Sequence, residues 1–282
     1  MVWPRVNLGF GHGHSRKTNT GGESSKHGIW HANLDGAAKK LDEHGLDLVG
    51  LHMHIGSGAD FEHLQKVGAA MAAQVRSLGR DVRAISAGGG LPVPYRAGDA
   101  RLDIAAYFEV WDAARRSIEA ELGHPLQLEI EPGRYLVAES GLLLAEVRAT
   151  KTVGGNRFVL VDAGFDNLVR PAMYGSWHEI SIVRREDGAA AGASVPTIVA
   201  GPLCESGDVF TQGEGGVVMP RDLPEARVGD FVVIHDAGAY AASQASNYNT
   251  RPYAPEVLID AGRPRLIRRR QTLDELLALE EV

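Results

Sequence analysis

The chain has 282 residues, of which 44% are hydrophobic and 23% charged, a composition typical of a globular enzyme with a sizeable core. Its formal net charge of -7 argues against a nucleic-acid partner or an anionic membrane surface. No apolar run approaches the ~20 residues that a membrane span requires. The single cysteine, Cys204, excludes an internal disulfide framework and fits a cytoplasmic protein.

The first half of the chain alternates strand-like apolar runs with amphipathic helices. We predict strands at residues 5–10, 48–56, 84–87 and 126–131. We predict helices at residues 61–78, capped by Asp60, and at residues 104–122, with a shorter helix ending near His44. This βα order predicts parallel strands in a sheet or barrel.

The pattern changes after residue 138. Short β runs at residues 144–150, 158–162, 194–201, 231–237 and 256–259 are separated by glycine-rich turns, which is typical of a mostly antiparallel β domain. A capping box of Thr272 and Glu275 predicts a last helix at residues 273–279. Because a complete eight-stranded barrel takes about 250 residues, the sequence predicts an α/β plus β fold: a partial TIM-type (β/α)8 barrel, its second half only, at residues 1–140 and a β domain at residues 141–282.

Two charged side chains follow the fourth predicted strand. Glu131 and Arg134 flank the strand-breaking pair Pro132 and Gly133, and catalytic groups of β/α barrels collect at such strand ends. A carboxylate here can pair with a cationic ring nitrogen, and a guanidinium can bind an anionic group. The alternative is an ordinary ion pair that closes the strand.

The second predicted strand carries two histidines on one face. His52 and His54 are two residues apart, with Ser57 at the strand end, and His12 and His14 have the same spacing. Such pairs bind zinc only with a third ligand, and no close-spaced set in the sequence supplies one. We therefore favour an imidazole that stacks on a planar cofactor, with a buried barrel histidine as the plainer alternative.

A run of three glycines, Gly88, Gly89 and Gly90, lies between a predicted strand and a predicted helix. Free backbone N–H groups and the positive end of a helix would both favour a phosphate there. The run is neither a dinucleotide fingerprint nor a Walker loop, so an ordinary turn is the alternative.

The stretch from residue 201 to residue 208 is the most specific of the chain. It places the thiol of Cys204 beside the carboxylate of Glu205 on a glycine-flanked turn, where the thiol can act as a nucleophile or a proton donor. A small core cysteine is the competing interpretation. Arg170, Tyr174 and Tyr240 add guanidinium and phenol groups on other predicted loops.

In the same order along nearly the whole chain, these motifs resemble those of the diaminopimelate decarboxylases, which are barrel-type (fold type III, alanine-racemase-like) pyridoxal-phosphate enzymes. The runs at residues 9–14, 18–22 and 268–272 are also similar to that family. The resemblance implies decarboxylation of meso-2,6-diaminopimelate to lysine and carbon dioxide. It also implies a cytoplasmic homodimer in which Cys204 and Glu205 cross the interface to complete the partner's active site.

The resemblance implies a role for each residue of these motifs. Pyridoxal phosphate would be bound by His54, Ser57, Gly88, Gly89, Gly90, Glu131, Pro132, Gly133, Arg134 and Tyr240. The amino-acid substrate would be bound by Arg134, Arg170, Tyr174, Glu205 and Tyr240. The catalytic residues would be His54, which stacks on the ring, and Cys204, which protonates the carbon after carbon dioxide leaves.

The sequence departs from the family in one respect. The Schiff-base lysine of the family lies on an early barrel strand, and none of the lysines present stands in that context: Lys17, Lys26, Lys39, Lys40, Lys66 and Lys151. We therefore expect a fragment that is weakly active or inactive alone. Three alternatives stay open: a sibling decarboxylase of ornithine, arginine or carboxynorspermidine, a non-catalytic pyridoxal-phosphate-binding fragment, and a zinc hydrolase that uses His52 and His54.

Overall fold

A computed structural model describes residues 1–189 and 192–281 of the chain. The chain divides into two compact units. Unit 1 comprises Met1–Pro94 and Gly98–Leu136, and unit 2 comprises Tyr95–Ala97 and Val137–Val282. The prediction that residues 1–140 and 141–282 are separate domains stays a prediction.

Unit 1 alternates short strands with helices. Its elements are β1 (Val6–Asn7), β2 (Ile29–Trp30), α1 (Leu34–Glu43), β3 (Gly50–His52), α2 (Phe61–Leu78), β4 (Ala84–Ser86), α3 (Ile104–Leu122), β5 (Gln127–Glu129) and α4 (Gly133–Val137). All strand pairs are parallel: β1 with β2, β3 with β4, and β4 with β5. A parallel bridge between Arg5 and His52 places β1 next to β3. The predicted partial β/α barrel is confirmed, although each strand is shorter than predicted and β2 was missed.

The two long helices begin and end where the sequence predicts. Asp60 caps α2 by accepting a hydrogen bond from the backbone N–H of His63, and Asp103 caps α3 in the same way. Gly79 and Gly123 end these helices with positive φ angles of 60° and 78°. Local capping chemistry is enough to set these four boundaries.

The core of unit 1 lies between these helices and the parallel sheet. Its fully buried side chains include Leu51, Met53, Met71, Ile85, Trp111 and Ile118. Each buried side chain of this size stabilises the fold by roughly 1.5–3 kcal/mol. Because side chains alternate along a strand, burial of Leu51 and Met53 turns His52 and His54 to the opposite face.

Unit 2 is built around a six-stranded sheet. Its elements are β6 (Leu143–Val153), β7 (Asn156–Val161), α5 (Arg170–Tyr174), β8 (Ile180–Val183), β9 (Ser194–Ala200), β10 (Arg221–Pro224), β11 (Phe231–Ile234), β12 (Glu256–Asp260), β13 (Arg263–Arg268) and α6 (Leu273–Leu277). The sheet order is β10-β9-β7-β6-β11-β8, with only β7 and β9 parallel, and β12 and β13 form a separate hairpin. The predicted, mostly antiparallel β domain is confirmed.

Sequence reasoning missed three strands of unit 2. Strand β10 contains Asp222 and Pro224, and β13 is rich in arginine, so neither has the composition typical of strands. Strand β8 has only four residues. The last helix has the predicted Thr272–Glu275 capping box but ends at Leu277, earlier than predicted. Within the described part of the chain, no helix combines the length and apolarity needed to cross a membrane.

Candidate active site

His54 and the three-glycine loop are interlocked at the carboxyl ends of β3 and β4. The Gly89 N–H donates to Nδ1 of His54 at 2.9 Å. A Cβ at Gly88 would overlap the carbonyl oxygen of Met53, one at Gly89 that of Glu131, and one at Gly90 that of Gly56. Gly88 and Gly90 also have positive φ angles of 62° and 94°. Glycine is therefore required at all three positions for this close approach.

The His54 ring is held in its neutral form. Burial, followed by the nearby charges of Arg5 and His52, lowers the pKa of His54 to about 4. Because Nδ1 accepts the Gly89 hydrogen bond, the ring proton lies on Nε2. His54 thus offers an uncharged, flat aromatic face at pH 7.

Arg5 supports this arrangement from β1's side of the sheet. Its Nη2 donates to the carbonyl oxygen of His54 and to Oγ1 of Thr20, both at 2.9 Å. Burial lowers the pKa of Arg5, and the charge of Glu131 acts in the opposite direction. Arg5 could not be recognised from the sequence, because nothing in its local motif distinguishes it from a surface arginine at a strand start.

Glu131 presents a carboxylate at the end of β5. Its side chain is 64% exposed, and Oε2 lies 3.2 Å from Nε2 of His52. The Glu131 backbone N–H donates to the Gly88 carbonyl at 2.7 Å, so the glycine loop also positions this residue. The sequence pattern paired His52 with His54, and in the structure His52 contacts Glu131.

Ser57 and Arg134 of unit 1 are hydrogen-bonded to each other. Nη2 and Nε of Arg134 donate to Oγ of Ser57 at 2.8 and 3.2 Å, and Arg134 is only 5% exposed. The turn at Pro132 and Gly133 makes this contact possible, since the Gly133 N–H bonds to the Glu131 carbonyl and α4 begins there. The predicted contact of Arg134 with substrate stays a prediction.

The helix that follows the glycine loop in the chain is not adjacent to it in sequence. Helix α3 begins at Ile104, as predicted, and is capped by Asp103, so residues 91–103 separate it from Gly90. The contribution of a helix end to phosphate binding at this loop stays a prediction.

Unit 2 contains the other predicted site residues. Arg170 is 1% exposed, donates from Nη1 to Nε2 of His178 at 2.6 Å and packs over the Tyr95 ring at 4.4 Å. Tyr174, one helical turn later in α5, accepts a hydrogen bond from Gln244 at 3.3 Å. The roles of Arg170 and Tyr174 in substrate binding stay predictions.

The loop with Cys204 and Glu205 is exposed, and hydrogen bonds from neighbouring segments hold its backbone in place. The Cys204 N–H donates to Oδ1 of Asn249 at 2.8 Å, and Asn249 has a positive φ of 53°. Asp208 accepts hydrogen bonds from the N–H groups of Leu203 and Phe165, and burial raises the pKa of its carboxyl. Asn249 is thus a positioning contact that the sequence pattern did not assign.

Tyr240 has a strained backbone, with a φ of 62°, and it is 36% exposed. Non-glycine residues in this region cost about 1–3 kcal/mol and collect at functional sites. Glu205 and Tyr240 keep their assigned roles as predictions.

Residues 1–138 match the family profile "Pyridoxal-dependent decarboxylase, pyridoxal binding domain". The chain is 64% identical to a diaminopimelate decarboxylase of Streptomyces coelicolor over 99% of this chain and 63% of that protein. It is 60% identical to the Escherichia coli K12 diaminopimelate decarboxylase over 99% of this chain and 67% of the relative. The chain belongs to the diaminopimelate decarboxylase family. A crystal structure of a diaminopimelate decarboxylase superposes with a TM-score of 0.94 at 60% identity, covering 99% of this chain and 66% of that one.

The chain therefore spans about two thirds of the length of these diaminopimelate decarboxylases. The matched family profile covers the part that holds His54, Ser57, the three-glycine loop, Glu131 and Arg134. Apart from Tyr240, the residues predicted to bind the cofactor thus lie in the segment that matches the pyridoxal binding domain.

Proposed function

We propose that this chain carries the cofactor-binding and substrate-recognising residues of a pyridoxal-phosphate-dependent diaminopimelate decarboxylase. The observation that carries the proposal is the set of contacts that His54 and Glu131 make with the three-glycine loop in unit 1. The neutral ring of His54, the three-glycine loop and the Glu131 carboxylate converge at the carboxyl ends of parallel strands.

The residues of unit 1 fit pyridoxal phosphate. Glu131 would accept a hydrogen bond from the protonated ring nitrogen and keep that nitrogen protonated, and its 64% exposed side chain is open to a ligand. The uncharged face of His54 would pack on the ring and exclude water from it. The Ser57 hydroxyl, oriented by Arg134, and the backbone of Gly90 would hold the phosphate. When bound, the cofactor supplies an electron sink for the electron pair that carbon dioxide leaves behind.

The residues of unit 2 fit a substrate with a second, distal amino-acid group. In the proposal, Arg170 and Tyr174 bind the distal carboxylate, for which a guanidinium has matching geometry. Glu205 binds the distal ammonium, and Cys204 transfers its thiol proton to the substrate carbon after carbon dioxide leaves. A substrate without a distal carboxylate, such as ornithine, would lack the group that Arg170 is proposed to bind.

We further propose a cytoplasmic homodimer in which each chain contributes Cys204 and Glu205 to the partner's site. We also propose that the chain alone turns over weakly or not at all. A Schiff-base lysine anchors the cofactor in this family and transfers protons, and no lysine of the sequence lies in a matching motif.

Two assays on the purified chain test the proposal. Equilibrium dialysis against pyridoxal phosphate should show one cofactor per chain, and Ser57→Ala should weaken binding at least tenfold. The matched control is Ser24→Ala, which changes an exposed serine of the same unit. Absence of saturable cofactor binding would contradict the proposal.

The second assay measures carbon dioxide released from four amino acids: diaminopimelate, ornithine, arginine and carboxynorspermidine. Release from diaminopimelate above the other three supports the proposed substrate, and preferential release from another amino acid identifies a sibling decarboxylase. Cofactor binding without release from any of them is expected both from the proposed weak or absent turnover of the chain alone and from a non-catalytic binding fragment, because in both cases no lysine completes the site.

A further inference from the structure

Three metal-ligating side chains from two segments of unit 1 meet at the start of α2. His12 lies in the loop between β1 and β2, Asp60 is the N-cap of α2, and His63 lies in its first turn. One donor atom from each lies within 4.8 Å of the other two. We propose that His12, Asp60 and His63 form a binding site for a divalent transition-metal ion, with Zn²⁺ as its best-suited occupant.

One of the two donor–donor distances matches that of a metal site, and the other is a shorter hydrogen-bond distance. Oδ2 of Asp60 lies 3.4 Å from Nε2 of His12, and Oδ1 lies 2.7 Å from Nδ1 of His63. Ligands about 2.1 Å from a tetrahedral zinc are roughly 3.4 Å apart. Small rotations of the two imidazole rings, which are stacked at 4.0 Å, would therefore bring all three donors onto one ion.

The backbone holds the two segments in place. The His12 N–H donates to the Ile55 carbonyl at 3.1 Å, and the His12 carbonyl packs so closely on Gly56 that a Cβ there would overlap it. Asp60 is fixed by its capping bond to the His63 N–H at 2.9 Å. Because these contacts do not use the donor atoms of His12, the fold brings its ring to the carboxylate without needing a metal.

The ligand set selects the class of ion. Two imidazoles and one carboxylate favour Zn²⁺, Co²⁺ or Ni²⁺ over Mg²⁺ and Ca²⁺, which prefer oxygen ligands only. Burial acts to raise the pKa of Asp60, but hydrogen bonds from His63 outweigh it, so the pKa lies below its ordinary value and the carboxylate is charged. The three side chains are between 29% and 53% exposed, which leaves room for an ion and its water ligands.

The alternative is a helix cap without a metal. Asp60 and His63 alone would form such a cap, with the imidazole as an extra donor to the carboxylate. Such a cap does not involve His12, but the His12 ring stacks on His63 and lies next to Oδ2 of Asp60. His14, which the sequence spacing pairs with His12, contacts the Ser57 carbonyl through Nδ1 at 2.9 Å and is not part of the set.

A bound ion would connect the loop that follows β1 to the start of α2. Ions that bind only the folded chain raise its stability by mass action. The proposed role is therefore structural. It is independent of the proposed decarboxylation, because none of the three ligands is assigned to the cofactor or the substrate.

The test is a Zn²⁺ titration of the full chain after exhaustive dialysis against a chelator, with a competing colorimetric zinc indicator. We expect one tight site per chain and a rise in the thermal midpoint on adding Zn²⁺. His12→Ala and His63→Ala should each weaken binding at least tenfold. The matched control is His44→Ala, which removes an exposed histidine of the same unit.

Asp60→Asn separates the two interpretations, because asparagine caps helices as well as aspartate but is a poor metal ligand. We expect this variant to keep the thermal midpoint of the metal-free chain and to lose zinc affinity at least tenfold. No tight site in the parent chain, or equal affinity in the parent, His12→Ala and Asp60→Asn, would overturn the proposal. Since no pyridoxal phosphate is present, neither result bears on the proposed decarboxylase activity.

Discussion

The neutral state of His54 predicts a specific loss of stability at mildly acidic pH. In the folded chain the pKa of His54 is lowered from 6.5 to about 4, mainly by burial. In the unfolded chain the ring takes up a proton as the pH falls below 6.5. The unfolded state then binds more protons than the folded state, so the free energy of unfolding falls between pH 6.5 and pH 4.

The size of this effect follows from the two pKa values. At pH 5 the His54 contribution should lower the free energy of unfolding by about 2 kcal/mol relative to pH 7, and below pH 4 the loss should level off at about 3 kcal/mol. Other groups titrate in the same range, so the quantity to measure is a difference between two chains.

The comparison is His54→Asn, because the asparagine Oδ1 can accept the Gly89 hydrogen bond and does not titrate. Urea unfolding of both chains without cofactor, followed by tryptophan fluorescence at pH 7, 6, 5 and 4, gives the difference in stability at each pH. We expect the parent chain to lose about 2 kcal/mol more than the variant between pH 7 and pH 5.

The control is His44→Asn, which replaces an exposed histidine at the C-cap of α1 and should track the parent chain at every pH. A parent-minus-variant difference that stays constant from pH 7 to pH 4 would refute the argument. It would mean that the His54 ring is as easily protonated in the folded chain as in the unfolded one.

Three further predictions follow from other parts of the structure. Gly89→Ala should destabilise unit 1 by about 1–3 kcal/mol in urea unfolding and abolish saturable pyridoxal-phosphate binding, because the new Cβ would overlap the Glu131 carbonyl oxygen. Unaltered stability and binding would contradict the close packing of the glycine loop. Cys204 is the only cysteine and is exposed in the single chain, so a thiol reagent should titrate one thiol per monomer at a rate close to that of the unfolded chain. A strongly protected thiol would show that the loop is covered, as it would be in the proposed homodimer. Arg251→Ala should lower the free energy of unfolding by about 3 kcal/mol, because it removes the ion-pair partner of the buried Asp166 carboxylate. Arg148→Ala removes an exposed ion pair with Glu146 and should lower it by less than about 1 kcal/mol. Equal losses in chemical denaturation would contradict this prediction.

The helices show how far local sequence chemistry reaches in this protein. Asp60 and Asp103 precede amphipathic runs, and Gly79 and Gly123 follow them, so α2 and α3 could be delimited without any tertiary information. The alternation of strands and helices, and its replacement by short β runs after residue 138, likewise predicted the partial barrel and the β domain. Strands β10 and β13 could not be found this way, because their pairing partners rather than their composition make them strands.

The sequence indicated which residue types form the site, but it did not indicate which residues they contact. The spacing of His52 and His54 placed both on one face, and only the fold showed that His52 contacts Glu131 while His54 contacts the glycine loop. Arg170 is a loop arginine in the sequence, and the fold buries it against His178. Such contacts join residues far apart in the chain, so no local pattern specifies them.

By itself, the sequence determined the capped helices, the two-part architecture and the family motifs, because propensity, capping and periodicity act over a few neighbouring residues. Only the tertiary structure decided the protonation state of His54, the pairing of Ser57 with Arg134 and the meeting of His12 with Asp60 and His63. These depend on burial and on the distances between segments, which are set when the parallel strands align their ends at one edge of the sheet.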